Sequence, residues 1–340
     1  MTPVTGTTAT AESAGRAAIA RATALRTRLR VPDGPLGTSP IGTVPILWNN
    51  VDIEELRLGT DALTILDEIA RTGYDGTQLG IGFPEGEALR TALAERDLHL
   101  AEVYASLPAT IDGPSDDALD LALERLRLLA AGGGDVLCVA LDLSAGRIEA
   151  AGRAADPATP QLTAAGWTHL TDVLHDLGRA TLDAGARMAY HPHAGTLVET
   201  PGEVATLLAA TDPELVPLCL DVGHFLVGGG DPVAAIEAFG ERVTHVHLKD
   251  VDPAVLGRLR DGELSGFTEA IRARLFTELG SGILDLDGCL NALAARGYRG
   301  WLMVEQDSGW PPPSESAAIG RRVLAASLRR MAAVEAEERR

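Results

Sequence analysis

Apolar residues are distributed along the chain in two alternating patterns. The first pattern consists of short continuous runs rich in β-branched and aromatic residues, which are typical of buried strands. These runs predict eight strands: Val44–Trp48, Gly76–Leu79, Leu98–Tyr104, Val136–Leu141, Arg187–His191, Val216–Leu220, Val243–Leu248 and Trp301–Glu305. In the longer segments between them, apolar residues recur every three or four positions, as on one face of a helix. Those segments predict helices over Leu63–Thr72, Glu85–Arg96, Asp116–Ala131, Ala164–Ala184, Pro201–Ala210, Asp231–Phe239, Leu286–Arg296 and Ser314–Ala333.

This alternation predicts an α/β fold. Eight strand-then-helix units favour a parallel (β/α)₈ TIM barrel, because an open doubly wound sheet usually has fewer strands and a glycine-rich phosphate loop after the first strand. This chain has no such loop there. Residues 41–335 show no linker and are expected to form one barrel domain. Residues 1–40 are expected to form an N-terminal arm, partly helical over Ala11–Arg30, that packs on the barrel or on a second subunit.

The connection from Asp250 to Asp285, after the seventh predicted strand, is far longer than the usual two to six or so residues. It interleaves arginines with large apolar residues: Arg258, Arg260, Arg272 and Arg274 with Leu256, Leu259, Phe267, Leu275 and Phe276. Such a segment has one face that packs and one that stays in water. We expect a lid over the barrel mouth. A subunit interface in a homo-oligomer, built from the same face, is the alternative.

Composition excludes several classes of protein. The chain has 340 residues, of which 46% are hydrophobic, so it has enough apolar mass for a large core. A net charge of −19 opposes nucleic acid as a partner. No apolar run is long enough for a membrane span, and a secretory signal is lacking, so we expect a soluble cytoplasmic protein. The cysteines Cys138, Cys219 and Cys289 are widely spaced in apolar surroundings and are expected to be buried, without a metal or a disulfide.

Polar residues end the last four predicted strands, where a barrel of this kind builds its active site. These ends read YHPHAGTLVE over Tyr190–Glu199, LDVGH over Leu220–His224, HVHLKD over His245–Asp250 and VEQD over Val304–Asp307. One histidine at a strand end is about as often structural as a ligand. Glu, Asp, His and Glu at successive strand ends instead supply the oxygen and imidazole donors of a divalent metal site. Such a set suits Mn²⁺, Co²⁺, Mg²⁺ or Zn²⁺.

The same pieces, together with Trp48–Asn50, resemble the xylose-isomerase-like TIM-barrel superfamily of sugar isomerases and epimerases, and within it the inosose (2-keto-myo-inositol) dehydratases. The similarity extends through Phe276–Gly280 and Gly297–Trp301 and covers roughly residues 41–328. The D-x-G-H piece marks the superfamily, whereas H-x-H-x-G-T-x-V-E and H-L-K-D together are more specific for the dehydratase branch.

The resemblance implies a metal site and a substrate class. One divalent ion, typically Mn²⁺ or Co²⁺, would be held by Glu199, Asp221, His247 and Glu305. The substrate would be a small polyhydroxylated ketone, a keto-cyclitol, and the residues that the resemblance places against it are Trp48, Asn49 and His224.

The implied activity is a lyase that dehydrates a keto-cyclitol such as 2-keto-myo-inositol through a metal-stabilised enediolate. The same enediolate also serves a sugar or cyclitol epimerase or isomerase, which is the alternative. The chain departs from the dehydratase pattern after the fourth strand, where Asp142 comes one place later than the expected carboxylate. For proton transfer we expect His193 first, with His191 and Lys249 as further candidates. Lys249, the only lysine, lies two residues after His247, so the two side chains share one face of an extended strand.

Two other interpretations fit the sequence less well. The DNA-repair endonuclease branch of the superfamily shares D-x-G-H, but its metal cluster needs extra histidines at early strand ends. This chain has only His99 before His169, and His99 lies at the start of a predicted strand. An inactive barrel that serves as a binding subunit would normally have lost a ligand, and all four expected ligands are present. We therefore expect an enzyme.

Overall fold

The structure is a computed structural model that describes residues 20–307, 311–338 and 340. Its centre is a closed barrel of parallel strands, in which each strand pairs with its two neighbours in sequence order and the eighth closes on the first. The predicted (β/α)₈ fold is confirmed. The barrel strands are β1 (Ile41–Thr43), β2 (Gly76–Gln78), β3 (His99–Leu107), β4 (Val136–Leu141), β5 (Arg187–Tyr190), β6 (Leu218–Asp221), β7 (Val243–Leu248) and β8 (Leu302–Val304).

Helices follow the strands around the barrel and also occur in the loops at the carboxyl ends of the strands. They cover residues 20–29, Ala62–Thr72, Gly86–Ala94, Ala118–Gly132, Ala145–Ala150, Ala164–Asp183, Pro201–Ala210, Val222–Val227, Pro232–Phe239, Pro253–Arg260, Phe267–Arg272, Leu286–Ala295 and Pro313–Glu338. Within the described ranges, none of these helices is long and apolar enough to cross a membrane.

The first strand lies earlier than the apolar pattern predicts. Val44–Trp48 is not a strand, because β1 ends at Thr43 and Pro45–Leu47 forms a 3₁₀ turn. Pro45 has no N–H group to donate to a neighbouring strand, and its fixed φ suits the first position of a helical turn. The apolar run is nevertheless buried, which is why its burial alone suggested a strand.

Side chains fill the barrel interior, and the three cysteines are buried as expected. Cys138 of β4 and Cys219 of β6 belong to the same interior cluster as Met303 of β8. Because alternate strands of such a barrel contribute side chains to one layer, residues on β4, β6 and β8 meet at the axis. The interior is therefore a packed core whose upper end forms the floor of the mouth.

The described part of the N-terminal arm packs on the barrel. Ala22, Leu29 and Leu36 are buried. Arg26, on the helix of residues 20–29, is buried as well and donates a hydrogen bond to a carboxylate oxygen of Asp97 at 2.6 Å. The first half of the helix expected over Ala11–Arg30 lies outside the described residues. Association of the arm with a second subunit stays a prediction.

The segment after β7, residues 250–285, which we call the lid segment, has its own small core. Its helices Pro253–Arg260 and Phe267–Arg272 bury Leu256, Leu259 and Phe267, whereas Arg258 and Arg272 are exposed. This core includes residues from other loops of the mouth: Ile53 after β1, Ala151 after β4, Ala194 after β5 and Val227 after β6. The lid segment therefore packs against the loops of the mouth, and its role as a lid or as a subunit interface stays a prediction.

Asp250 holds the two ends of the lid segment together. Its carboxylate oxygens accept hydrogen bonds from the backbone N–H groups of Gly280, Gly282 and Leu284, each at 2.9–3.0 Å. The residue is buried, so these bonds are shielded from water. Charge-assisted hydrogen bonds of this kind are among the stronger ones in proteins.

We expect Asp250→Ala to loosen this closure without unfolding the barrel. Loss of the charged acceptor costs about 1.5–3 kcal/mol per bond, so the amides of Gly280, Gly282 and Leu284 should exchange with solvent about a hundredfold faster. Hydrogen exchange read by mass spectrometry measures this. Asp261→Ala, an exposed carboxylate of the same segment, serves as the control and should change nothing. Unchanged protection of the three amides in Asp250→Ala would show that other contacts hold the segment.

Candidate active site

Four side chains from the last four strands converge at the carboxyl end of the barrel. His191 follows β5, Asp221 ends β6, His247 lies near the end of β7, and Glu305 follows β8. Their nearest nitrogen and oxygen atoms all lie within 4.8 Å of one another. His247 Nδ1 is 2.6 Å from Glu305 Oε2 and 3.8 Å from Asp221 Oδ2, and His191 Nε2 is 3.6 Å from that same Asp221 oxygen.

The atoms that face one another in this group form ion pairs with each other and with Lys249 but make no hydrogen bond within the described ranges. Asp221 Oδ2, His247 Nδ1 and Glu305 Oε2 are buried, and each is without a hydrogen bond to a described residue. A buried polar atom without a hydrogen bond is costly, and a cation between the four side chains would satisfy all three. Burial raises the pKa of Glu305, but the charges of Lys249 and His247 outweigh it and lower the pKa to about 2, so this oxygen donor is anionic. The group fits a divalent metal ion.

A further carboxylate, Glu102, fixes the orientation of the His247 ring. Glu102, in the middle of β3, accepts hydrogen bonds from His247 Nε2 at 3.0 Å and from His245 Nε2 at 2.6 Å. Burial raises the pKa of Glu102, but His247 and His245 outweigh burial and hold it well below its ordinary value. A carboxylate that accepts from the far nitrogen of a ligating histidine fixes the tautomer and the ring orientation. The other nitrogen, Nδ1, is thereby left to act as a metal ligand.

Glu199, expected as a ligand, does not join this group. One of its oxygens accepts from the N–H of Gly195 at 2.8 Å and the other from the N–H of Gly152 at 3.0 Å. The loop after β5 turns back on itself at Gly195, whose φ of 83° suits glycine, and this turn directs Glu199 toward its own loop and the loop after β4. Buried Arg147 lies 3.9 Å away, and burial, partly opposed by these contacts, raises the pKa of Glu199 to about 7. His191 occupies the place in the group that Glu199 was expected to take.

Lys249 lies on the side of the group that faces away from the cavity. Its Nζ is 2.8 Å from Asp307, 3.0 Å from Glu305 and 3.3 Å from Asp221. Phe276 of the lid segment covers it, with Nζ 4.7 Å from the ring centre. Burial lowers the pKa of Lys249, but Asp221, Asp307 and Glu305 outweigh burial and raise it well above its ordinary value. Lys249 is therefore a fixed positive charge that holds the carboxylates in place.

His193 and His224 stack on each other beside the group, with ring centres 3.7 Å apart. Nδ1 of His193 donates to the carbonyl of Ala194 at 2.8 Å, so Nε2 carries the lone pair. Burial, together with the charges of His191 and Lys249, lowers the pKa of His193 to about 3 and keeps the ring neutral. Nε2 of His224 lies 3.0 Å from Lys249 Nζ, so this ring is engaged within the protein.

A cavity of about 900 Å³ opens beside these side chains. His191, His193, His247 and Glu305 line its inner end, next to Tyr104 and Asp142. A substrate in this cavity would therefore meet three members of the group, His191, His247 and Glu305, together with His193.

The predicted substrate contacts only partly reach this cavity. The indole N–H of Trp48 donates to Glu68 at 2.6 Å on the helix behind it, and neither Trp48 nor His224 lines the cavity. Asn49 does line it, although its side-chain amide is paired with the backbone of Thr60. Spacing along the chain does not reveal the hydrogen bonds that hold Trp48 and Asn49, and contact of Trp48, Asn49 and His224 with a substrate stays a prediction.

Sequence reasoning missed four neighbours of His247. Glu102 is the one charged residue within β3 after its first position, which is the signal that could have identified it. His245 is two residues before His247, and alternation along β7 places both inside the barrel. Cys138 and Cys219 offer sulfur atoms within 4.8 Å of a His247 nitrogen, a proximity for which their positions along the chain carry no signal.

Comparison with known proteins finds relatives that share this fold. The family model described as "Xylose isomerase-like TIM barrel" matches residues 66–327. "Inosose dehydratase" of Bacillus cereus (strain AH820) is 31% identical over 299 residues, which span 84% of this chain and 96% of that protein. "Rhizopine catabolism protein MocC" of Rhizobium meliloti is 36% identical over 305 residues, spanning 87% and 92% respectively.

Solved structures share the fold. L-ribulose 3-epimerase superposes with a TM-score of 0.65 at 19% identity and covers 88% of this chain and 97% of its own. The IOLI protein, solved with a bound zinc atom, superposes with a TM-score of 0.59 at 15% identity, covering 86% and 96%. The resemblance found in the strand-end motifs is thus confirmed by the family model, the relatives and the fold: the chain belongs to the xylose isomerase-like TIM-barrel family of enzymes.

Proposed function

We propose that the protein is a metal-dependent lyase that dehydrates a keto-cyclitol such as 2-keto-myo-inositol. The observation that carries the proposal is the group of His191, Asp221, His247 and Glu305, whose buried, facing atoms make no hydrogen bond to a described residue and lie beside the inner end of a cavity. Two imidazoles and two carboxylates suit Mn²⁺ or Co²⁺, and also Zn²⁺, the ion named for the IOLI structure. The substrate class and the reaction are supported by relatives named inosose dehydratase.

The residues around the group have separate tasks in this reaction. When bound, a divalent ion supplies positive charge beside a ketone oxygen, which makes the neighbouring C–H more acidic. His193 takes that proton, because it lines the cavity as a neutral ring with its lone pair on Nε2. Asp142 lines the cavity after β4 and is the carboxyl group that, in our assignment, gives a proton to the departing hydroxyl, which leaves as water. Lys249 positions Asp221 and Glu305 and touches no substrate.

Removal and return of the metal test this proposal. Protein stripped with a chelator should not convert 2-keto-myo-inositol, and addition of Mn²⁺ or Co²⁺ should restore formation of a dione, followed by its ultraviolet absorbance. A chelator-treated and re-purified sample with full activity would overturn the metal dependence. Conversion of the ketone to an isomer without a dione would instead favour the epimerase or isomerase alternative.

A further inference from the structure

The cavity is larger than a keto-cyclitol needs. Its volume of about 900 Å³ lies near the upper end of the roughly 300–1,000 Å³ that enclose drug-sized ligands. A single six-membered polyol ring is much smaller than such a ligand. The metal-binding group occupies only the inner end, so a ring placed there leaves the outer end of the cavity empty.

One face of a helix forms the outer wall. Leu121, Glu124, Arg125 and Leu128 of the helix Ala118–Gly132 line the cavity. These positions follow the i, i+3, i+4, i+7 spacing, so they lie on one stripe. A different stripe of the same helix is buried and includes Ala118, Ala122, Leu126 and Leu129. The stripe on the cavity instead presents two leucines and two charged side chains.

Arg125 offers hydrogen-bond donors at this wall. Its Nε donates to the backbone carbonyl of Tyr104 at 2.9 Å, which fixes the guanidinium against the end of β3. Its terminal nitrogens form no hydrogen bond and no ion pair with a described residue. Tyr104 also packs edge-on against His191, with ring centres 6.1 Å apart. Tyr104 therefore contacts both the guanidinium of Arg125 and His191 of the metal-binding group.

Apolar side chains line the same cavity as this donor. Phe83, after β2, is one of them. Ile81 and Leu121 line it as well, although they are 44% and 39% exposed, among the most exposed large apolar residues described. A ligand that fills the outer end would cover these surfaces. Exposed apolar area beside a functional cavity is a common sign of a binding surface.

The charged and apolar side chains that line the cavity determine which class of ligand fits its outer end. An anionic group would meet the carboxylates of Glu85, Glu124 and Asp142, and an ammonium would meet Arg125. A plain alkyl group would leave the guanidinium without a partner. A sugar ring satisfies all of these groups, because its hydroxyls donate to carboxylates and accept from a guanidinium while its C–H face packs on Phe83 and Leu128.

We propose that the outer end of the cavity is a second subsite that holds a neutral sugar ring, and that the substrate is a keto-cyclitol carrying this sugar in an O-glycosidic link. This inference rests on the proposed function for the inner end of the cavity. The link itself is not broken, since the reaction at the ketone end is unchanged. Binding at the outer end contributes energy from a part of the substrate remote from the reacting carbons.

The test compares 2-keto-myo-inositol with its O-glucosyl derivative. The wild-type protein should show a kcat/KM at least about tenfold higher for the glucosylated ketone. Arg125→Leu and, independently, Leu128→Trp should abolish that preference, since the first removes the donors and the second fills the space. Arg127→Leu, an exposed arginine of the same helix, is the matched control and should keep the preference. An equal or higher kcat/KM for the free ketone would overturn the subsite.

Calorimetry measures binding at the subsite independently of the dehydration reaction. Glucosyl-myo-inositol and myo-inositol, which lack the ketone, are titrated into the metal-loaded protein. Tighter binding of the glucosylated compound, lost in Leu128→Trp, supports the subsite even if neither ketone is dehydrated. Equal binding of the two compounds overturns the subsite and leaves the proposed function standing if dione formation is observed.

Discussion

His247→Ala and Glu305→Gln are expected to lose the bound metal and to lower turnover by about 10³-fold or more. The physical reason is that each removes one donor from a group of four whose facing atoms are buried and make no hydrogen bond in the described part of the chain. Loss of a Lewis acid removes several kcal/mol of transition-state stabilisation, and each 1.36 kcal/mol or so is a factor of ten. His191→Ala should behave in the same way, since His191 completes the group. Elemental analysis of protein purified without chelator measures the metal content directly.

Glu199→Gln is the matched control for Glu305→Gln. Both replace a buried carboxylate in the mouth of the barrel by an amide, but Glu199 accepts from the N–H groups of Gly195 and Gly152 and does not belong to the metal-binding group. Glu199→Gln should therefore retain the metal. Glu102→Gln, which removes the partner of His247, should lower metal affinity about 10–100-fold. Full metal content in His247→Ala and Glu305→Gln, or its loss in Glu199→Gln alone, would refute the assignment of ligands.

His193→Ala is expected to lower turnover by about 10²- to 10⁴-fold while the metal stays bound. This is the range for loss of a positioned general acid or base. Turnover should fall without loss of the metal because His193 lines the cavity but lies outside the group of four donors. Single-turnover kinetics and elemental analysis on the same preparation give both quantities.

His99→Ala controls for the loss of an imidazole. His99 is exposed at the start of β3, at the opposite end of the barrel from the site, and its replacement should leave turnover unchanged. A fall in turnover of His193→Ala that is matched by loss of metal would assign His193 to metal binding. Unchanged turnover with full metal would remove it from proton transfer and return that role to another group on the cavity wall.

The fold was largely predictable because its signals are local. Each strand is a short apolar run, each helix is amphipathic, and eight repeats of the pair define the barrel. The pattern failed at Val44–Trp48, where apolar residues are buried without forming a strand because Pro45 starts a 3₁₀ turn. It also gave no sign of the short helices Ala145–Ala150 and Val222–Val227, whose stability depends on packing in the mouth and not on their own length.

Only the site residues that lie at the ends of barrel strands were predictable from the sequence. Asp221, His247 and Glu305 were identified because each comes at the end of a barrel strand, and the structure brings them together. Glu199 and His191 both belong to the loop after β5, and spacing cannot show which one the turn at Gly195 directs inward. The pairing of Glu102 with His247 joins residues 145 positions apart, so only the closed barrel reveals it.

Incubation of the metal-loaded protein with 2-keto-myo-inositol in D₂O tests the central claim most directly. The dione is followed by its ultraviolet absorbance, and deuterium in the recovered ketone by mass spectrometry. We predict that the wild-type protein forms the dione, and that Asp142→Asn forms less dione while deuterium still enters the ketone, because proton removal no longer leads to loss of the hydroxyl. Deuterium uptake into the ketone or an epimer with no dione from the wild-type protein would contradict dehydration and identify an epimerase or isomerase.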